Sequence, residues 1–145
     1  MGDIDLAKRC ATKMYGNDRA SQDLGIDIDV VAAGTVKATM TVRASMLNGF
    51  AMCHGGYIFT LADTAFAFAC NAHDNLTVAA AAGIEFLKPA HEGDRLVATA
   101  IERHRAGRSG IYDVEVRNQD KVLVALFRGR AHATGKPLAS AQTDT

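Results

Sequence analysis

From Leu47 to Cys70 the chain reads LNGFAMCHGGYIFTLADTAFAFAC, and the second half of that stretch constrains the fold most. Ile58, Leu61, Ala62, Ala65, Phe66 and Ala69 recur at i, i+3, i+4, i+7, i+8 and i+11, the spacing of one helical face. Phe59, Ala67 and Phe68 fill most of the remaining perimeter. A helix that is apolar nearly all round has to be buried on nearly every side. Asn71, His73 and Asp74 mark its end. Yet Asp63 stands in its middle, where a charged side chain is expensive.

The rest of the chain has to supply that burial. Gly25 to Val42 changes to period two: in TVKATMTV, Val36, Ala38, Met40 and Val42 share one face, and Gly34 marks a hairpin turn before them. After the helix, TVAAAAGIEFLKPA, DRLVATAIERH, SGIYDVEVRN and KVLVALFRGRAHA read as four strands, with HEGD, RAGRSG and NQD as the turns. Ile4 to about Arg19 spaces Leu6, Cys10 and Met14 as a surface helix, and a polar tail begins at Ser140. One α+β domain of 145 residues is expected, its antiparallel sheet wrapped around a single helix. Such a sheet leaves edges or faces to be covered, which points to a second copy of the chain.

Composition removes several function classes. The formal net charge is +0, so no global field favours nucleic acid or an acidic membrane. Cys10, Cys53 and Cys70 lack metal-ligand or CxxC spacing and read as reduced thiols of a cytoplasmic protein. MGDIDLAKRC carries charges where a signal peptide needs an apolar run, and residues 58–70 are too short to span a membrane. The histidines form no HxxxH or HExxH spacing, so no metal is expected, and GxGxxG and GxxxxGKS are absent.

Gly55 and Gly56 at the head of the helix have two readings. Either they only turn the chain into the helix, or they let a substrate approach unpaired N–H groups at the positive end of the dipole, a site for a developing oxyanion. Asp63 is either a satisfied structural carboxylate or a general base or nucleophile whose pKa burial raises toward neutrality. It lies eight residues after Gly55, so at about 1.5 Å rise per residue the two are roughly 12 Å apart along one helix. That is too far for both to act on one carbonyl carbon; if they cooperate, they come from different subunits. Cys53 beside His54 is a poor nucleophile–base pair, because adjacent side chains point apart. The basic RHRAGRSG segment and the Arg128/Arg130 pair are either solvated surface or a seat for phosphates.

LNG…CHGGYIFTLADTAFAFACN, IEFLKPAHEGDRLVATA, GRSGIYDVEV and ALFRGRAH, taken in this order, resemble the hotdog-fold acyl-CoA thioesterases, and within them the phenylacetic acid degradation type. The resemblance runs from roughly Met14 to His132. It implies a curved antiparallel sheet around one long helix, homodimers with intersubunit active sites that pair into homotetramers, and hydrolysis of aryl-acetyl-CoA thioesters such as phenylacetyl-CoA or its hydroxylated forms. CoA is then part of the substrate, and no separate cofactor is implied. Asp63 matches the catalytic carboxylate and Gly55 the backbone N–H that polarises the thioester carbonyl. Asn48 and His54 match loop residues that position substrate and water. Lys88, Arg108 and Ser109 are the best positions for seating CoA, and Phe50, Phe59 and Phe66 are candidates to line an aryl pocket. One departure stands out. Some relatives carry a water-holding hydroxyl on the strand after the helix, whereas Ala79, Ala80, Ala81, Ala82 and Gly83 offer none; Thr64 and Thr77 are the alternatives. Two rival functions fit the same fold: an enoyl-thioester hydratase or dehydratase using His54, and a non-catalytic acyl-CoA-binding module.

Overall fold

In the computed structural model, which describes residues 2–139, a single antiparallel sheet curls around one long helix. The tail expected from Ser140 lies outside the described residues. Helices α1 (Gly2–Asn17) and α2 (Arg19–Asp23) lead into β1 (Asp27–Ala32) and β2 (Thr35–Thr41). A short 3-10 turn at Ala44–Met46 precedes α3 (Gly55–Cys70), and β3 (Thr77–Phe86), β4 (Arg95–Ala106), β5 (Ser109–Arg117) and β6 (Leu123–Ala133) complete the chain. The strand order is β1-β2-β4-β5-β6-β3, so β1 and β3 are edges and the sheet does not close.

The alternation of β2 becomes its buried face: Val36, Ala38 and Met40 point inward between exposed or half-exposed neighbours. Leu96, Ala98 and Ala100 on β4 and Tyr112, Val114 and Val116 on β5 continue that surface. Against it α3 buries Ile58, Leu61, Ala62, Ala65, Phe66 and Ala69, the stripe expected from the 3.6-residue period. Register shifts at Val30/Ala32, Ala79/Ala81, Glu102/His104 and Val116/Arg117 bend the strands, since a bulge adds a kink and twist. No helix among the described residues is long and apolar enough to cross a membrane.

The N-terminal surface helix expected over Ile4 to about Arg19 is α1, Gly2–Asn17, and a short second helix follows it. Asp18 separates the two by capping α2, accepting the Ser21 N–H at 3.0 Å and the Ser21 hydroxyl at 2.6 Å, while Ala7 and Cys10 on α1 are buried. One chain leaves part of α3 uncovered. Thr60, Asp63, Thr64 and Ala67 are only half-buried, and β3 is exposed from Val78 to Gly83.

Candidate active site

The loop before α3 is held rigidly at both ends. Asn48 N–H donates to the Met52 carbonyl at 2.7 Å, Cys53 N–H to Ala90 at 2.7 Å and His54 N–H to Met46 at 2.7 Å. The Asn48 side-chain oxygen accepts the Phe50 and Met52 N–H groups at 2.8 and 3.2 Å. Closing so tight a loop puts Ala51 at φ 60, a left-handed conformation uncommon outside glycine. Asn48 is therefore first a loop-builder. Its amide nitrogen has no acceptor among the described residues and is the part left for a ligand.

His54 is the N-cap of α3, and its Nδ1 accepts the Gly56 N–H at 3.3 Å. A backbone N–H can only donate, so that nitrogen carries no proton and Nε2 bears the hydrogen. The Tyr57 N–H bonds the His54 carbonyl at 3.0 Å. Among these first amides the Gly55 N–H has no acceptor among the described residues. Gly55 lines a cavity of about 450 Å³ together with Asn48 and Lys88, with Met52, Ile58, Phe86, Leu87 and Pro89 as largely apolar walls. Three of the expected site residues thus share one concavity at the helix N-terminus.

Asp63 sits further along α3, half-buried and without a hydrogen-bond or ion-pair partner among the described residues. Burial pushes its carboxyl above the ordinary aspartate value. It does not reach the Gly55 cavity, as the roughly 12 Å helical separation requires. Arg108 and Ser109 are elsewhere again: they line a small cleft with Cys70, His73, Asn75 and Thr77 at the C-terminal end of α3. There Arg108 donates to the Thr134 carbonyl at 3.3 Å. Lys88 and the Arg108/Ser109 pair are therefore at opposite ends of the helix within one chain.

Thr64 and Thr77 spend their hydroxyl protons on the Thr60 and Asn75 carbonyls, at 2.7 and 2.6 Å. Burial raises the Cys53 thiol to about 11, and its Sγ lies 3.6 Å from the His54 carbonyl, not from the ring. Arg128 grips Asp113 through two bonds of 2.6 and 2.9 Å, and Arg103 adds a third at 3.0 Å. That trio sits on the exposed sheet face, where the single Asp113 carboxylate is shared by two arginines and one positive charge is left over.

The aromatic expectation changes most. Phe66 is buried in the core against Tyr112 and Phe127, Phe59 packs edge-on against Phe127, and Phe50 is 81% exposed at the loop tip. None of the three lines the Gly55 cavity; Phe86 does. The sequence also gave no sign of a brace beneath the C-terminal end of α3. Glu102 Oε1 accepts the Tyr112 hydroxyl at 2.8 Å and lies 2.9 Å from His73 Nε2. The signal was present only as register, since Glu102 and Tyr112 face each other across β4 and β5.

Residues 50–125 match the thioesterase superfamily. Acyl-coenzyme A thioesterase PaaI of Escherichia coli is 51% identical over 125 residues, covering 86% of this chain and 89% of that protein. The solved structure of the E. coli PaaI protein from the phenylacetic acid degradation operon superposes with a TM-score of 0.90 at 48% identity, over 92% of this chain and 97% of that one. The protein smu.793 of Streptococcus mutans, solved bound to acetyl CoA, superposes with a TM-score of 0.74 at 31% identity, over 77% of this chain and 90% of that one.

Proposed function

This chain belongs to the thioesterase superfamily and has its hotdog fold, and from that premise we propose that it hydrolyses aryl-acetyl-CoA thioesters, such as phenylacetyl-CoA and its hydroxylated forms, to the free acid and CoA. The carrying observation is the Gly55 N–H, unpaired at the first residue of α3 in a residue that lines an apolar cavity. An unpaired amide at the positive end of a helix is suited to a thioester oxygen that gains negative charge as it is attacked. Asp63 supplies the second half. An ionised carboxylate with no partner is free to take a proton from water, or to attack the carbonyl itself. When water attacks, the tetrahedral oxyanion collapses to the carboxylic acid and expels the CoA thiolate, which takes up the proton held by Asp63. When Asp63 attacks, the same collapse leaves an Asp63–acyl anhydride that water then hydrolyses to the acid.

Both halves serve one reaction only if Asp63 comes from a second copy, so we infer a homodimer with composite sites. β3 is the natural seam. It is an edge of ten residues without Lys or Pro, exposing Val78 and Phe86, the kind of strand that a soluble protein covers. Two-fold antiparallel pairing of β3 sets the Phe86 end of one strand beside the Thr77 end of the other. Arg108 and Ser109 of one chain then approach the Gly55 cavity of the other, where with Lys88 they serve the CoA moiety. Further pairing of dimers gives a homotetramer. CoA thioesters and the three free cysteines both suit the cytoplasm, and we place the enzyme in phenylacetate degradation as a salvager of CoA.

The hydratase alternative needs a histidine base, and the cap bond already occupies the only unprotonated nitrogen of His54. A thiol-release assay over aryl-acetyl, short and long acyl-CoAs tests the proposal. Release with a preference for aryl-acetyl groups is expected, as is its near-complete loss in Asp63→Asn with substrate binding retained. Saturable binding with no thiol release by the unmodified protein would indicate a binding module instead.

A further inference from the structure

Phe86 is an aromatic residue whose placement the fold explains only in part. It ends β3 opposite Ala125, and the next two amides, of Leu87 and Lys88, both donate to the Val124 carbonyl at 2.8 and 3.2 Å. Its backbone is therefore fixed by the sheet. Its side chain is not taken into the core: Phe86 is 53% exposed. The ring tip instead abuts the head of α3. A Cβ added to Gly55 would lie 3.0 Å from Phe86 Cζ and 3.3 Å from Cε1, tighter than side chains tolerate without moving.

With the ring where it stands, glycine is the residue that fits at position 55. The usual reason is a positive φ, and Gly55 does not have one. The first position of a helix accepts most residues, and here a side chain would require the Phe86 ring to give by a few tenths of an ångström. The unpaired Gly55 N–H and the Phe86 ring are thus two parts of one wall, built from elements 31 positions apart in the chain.

We infer that Phe86 is the specificity-determining wall of the acyl site, holding the thioester carbonyl against the Gly55 N–H and favouring flat aryl groups there. This rests on the thioesterase reading above. A carbonyl oxygen within hydrogen-bond distance of Gly55 N brings its acyl chain near the ring, because the ring tip lies against the same residue. The ring keeps water from that side, which strengthens the bond to the developing oxyanion. An aryl group one methylene from the carbonyl meets a partner of its own kind, and aromatic rings attract each other in offset and edge-on arrangements beyond simple area burial. An acetyl group is too short to use that partner. Met52, Ile58 and Leu87 complete the apolar surround.

The test compares kcat and KM for phenylacetyl-CoA and acetyl-CoA in the unmodified enzyme, Phe86→Ala and Phe86→Leu. One methylene more or less in an apolar pocket changes discrimination by about 10- to 200-fold, and an aromatic wall is larger than a methylene. The ratio of kcat/KM for phenylacetyl-CoA over acetyl-CoA is expected to fall at least about tenfold in Phe86→Ala and by less in Phe86→Leu, with part of the loss in kcat. Melting curves and the mass of the assembly show which variants are folded, and the milder Leu variant guards against collapse of the Ala one. A ratio that stays within about twofold in the folded variants overturns the role of Phe86 while leaving the thioesterase reading intact. Absence of thiol release from both substrates in the unmodified enzyme overturns the thioesterase reading itself, and this inference with it.

Discussion

Two aspartates, Asp113 and Asp63, meet opposite electrostatic fates. Asp113 accepts hydrogen bonds from Arg128 and Arg103, which hold its carboxyl below the usual range despite partial burial. Its contribution to stability is present above the unfolded pKa and is lost as pH falls through the folded one; with both arginines well exposed it is modest. Asp63 has no such partner, and burial alone raises its pKa. Its native state then holds a proton that the unfolded state would release. Stability from this site therefore falls as pH rises from the unfolded aspartate value through the raised folded one, and the ionised group weakens the fold at neutral pH. Asp63→Asn is expected to lower kcat on the order of a hundredfold or more while melting at or above the temperature of the unmodified protein at pH 7. The kcat profile should lose activity on the acid side as Asp63 protonates. A variant that melts well below the unmodified protein at pH 7 would mean that Asp63 has a structural partner and would remove the case for a base.

Elements are held together by close approaches as well as by periodicity. Gly129 on β6 faces inward, and a Cβ there would sit 2.7 Å from Cζ of Phe66, a side chain with no room to retreat in the core. Strand interiors otherwise favour alanine over glycine, so the clash decides the sign. Gly129→Ala is expected to cost about 1–3 kcal/mol, read from the midpoint of a urea titration at unchanged slope. An unchanged midpoint would show that Phe66 can move. β2 and α3 are legible from the sequence because a half-buried strand and a buried helix leave periods of two and 3.6. β3 is legible as a strand but not as an edge: Ala79–Ala82 carries no alternation because the chain buries neither face there. The break between α1 and α2 was written in the Asp18–Ser21 cap, a local signal masked by helical spacing on both sides. Asp63 and Gly55 are conspicuous because each violates the pattern around it. Phe86 breaks no local rule, so its meeting with Gly55 emerges only when the sheet folds back on the helix.

At the scale of the whole molecule, the sixteen residues of α3 span roughly 24 Å, with Gly55 and Lys88 near one end and Arg108 and Ser109 near the other. On the proposed reading a single chain holds halves of two sites. In a two-fold dimer each site would take Gly55 from one subunit and Asp63 from the other, and this has a consequence that no single-chain site shares. Gly55→Pro removes the N–H at the first helical position, where proline is otherwise tolerated, though its ring also presses on Phe86. Asp63→Asn removes the carboxylate. Each homodimer is expected to be inactive. A mixed dimer places both defects in one site and leaves the other with a normal Gly55 and a normal Asp63. If equal amounts of the two variants are unfolded together and refolded, half the dimers are mixed, so about a quarter of the unmodified activity should return. Light scattering and differently tagged subunits establish that mixed dimers have formed. Mixed dimers with no recovered thiol release would place Gly55 and Asp63 in separate functions, whatever the affinity of the dimer.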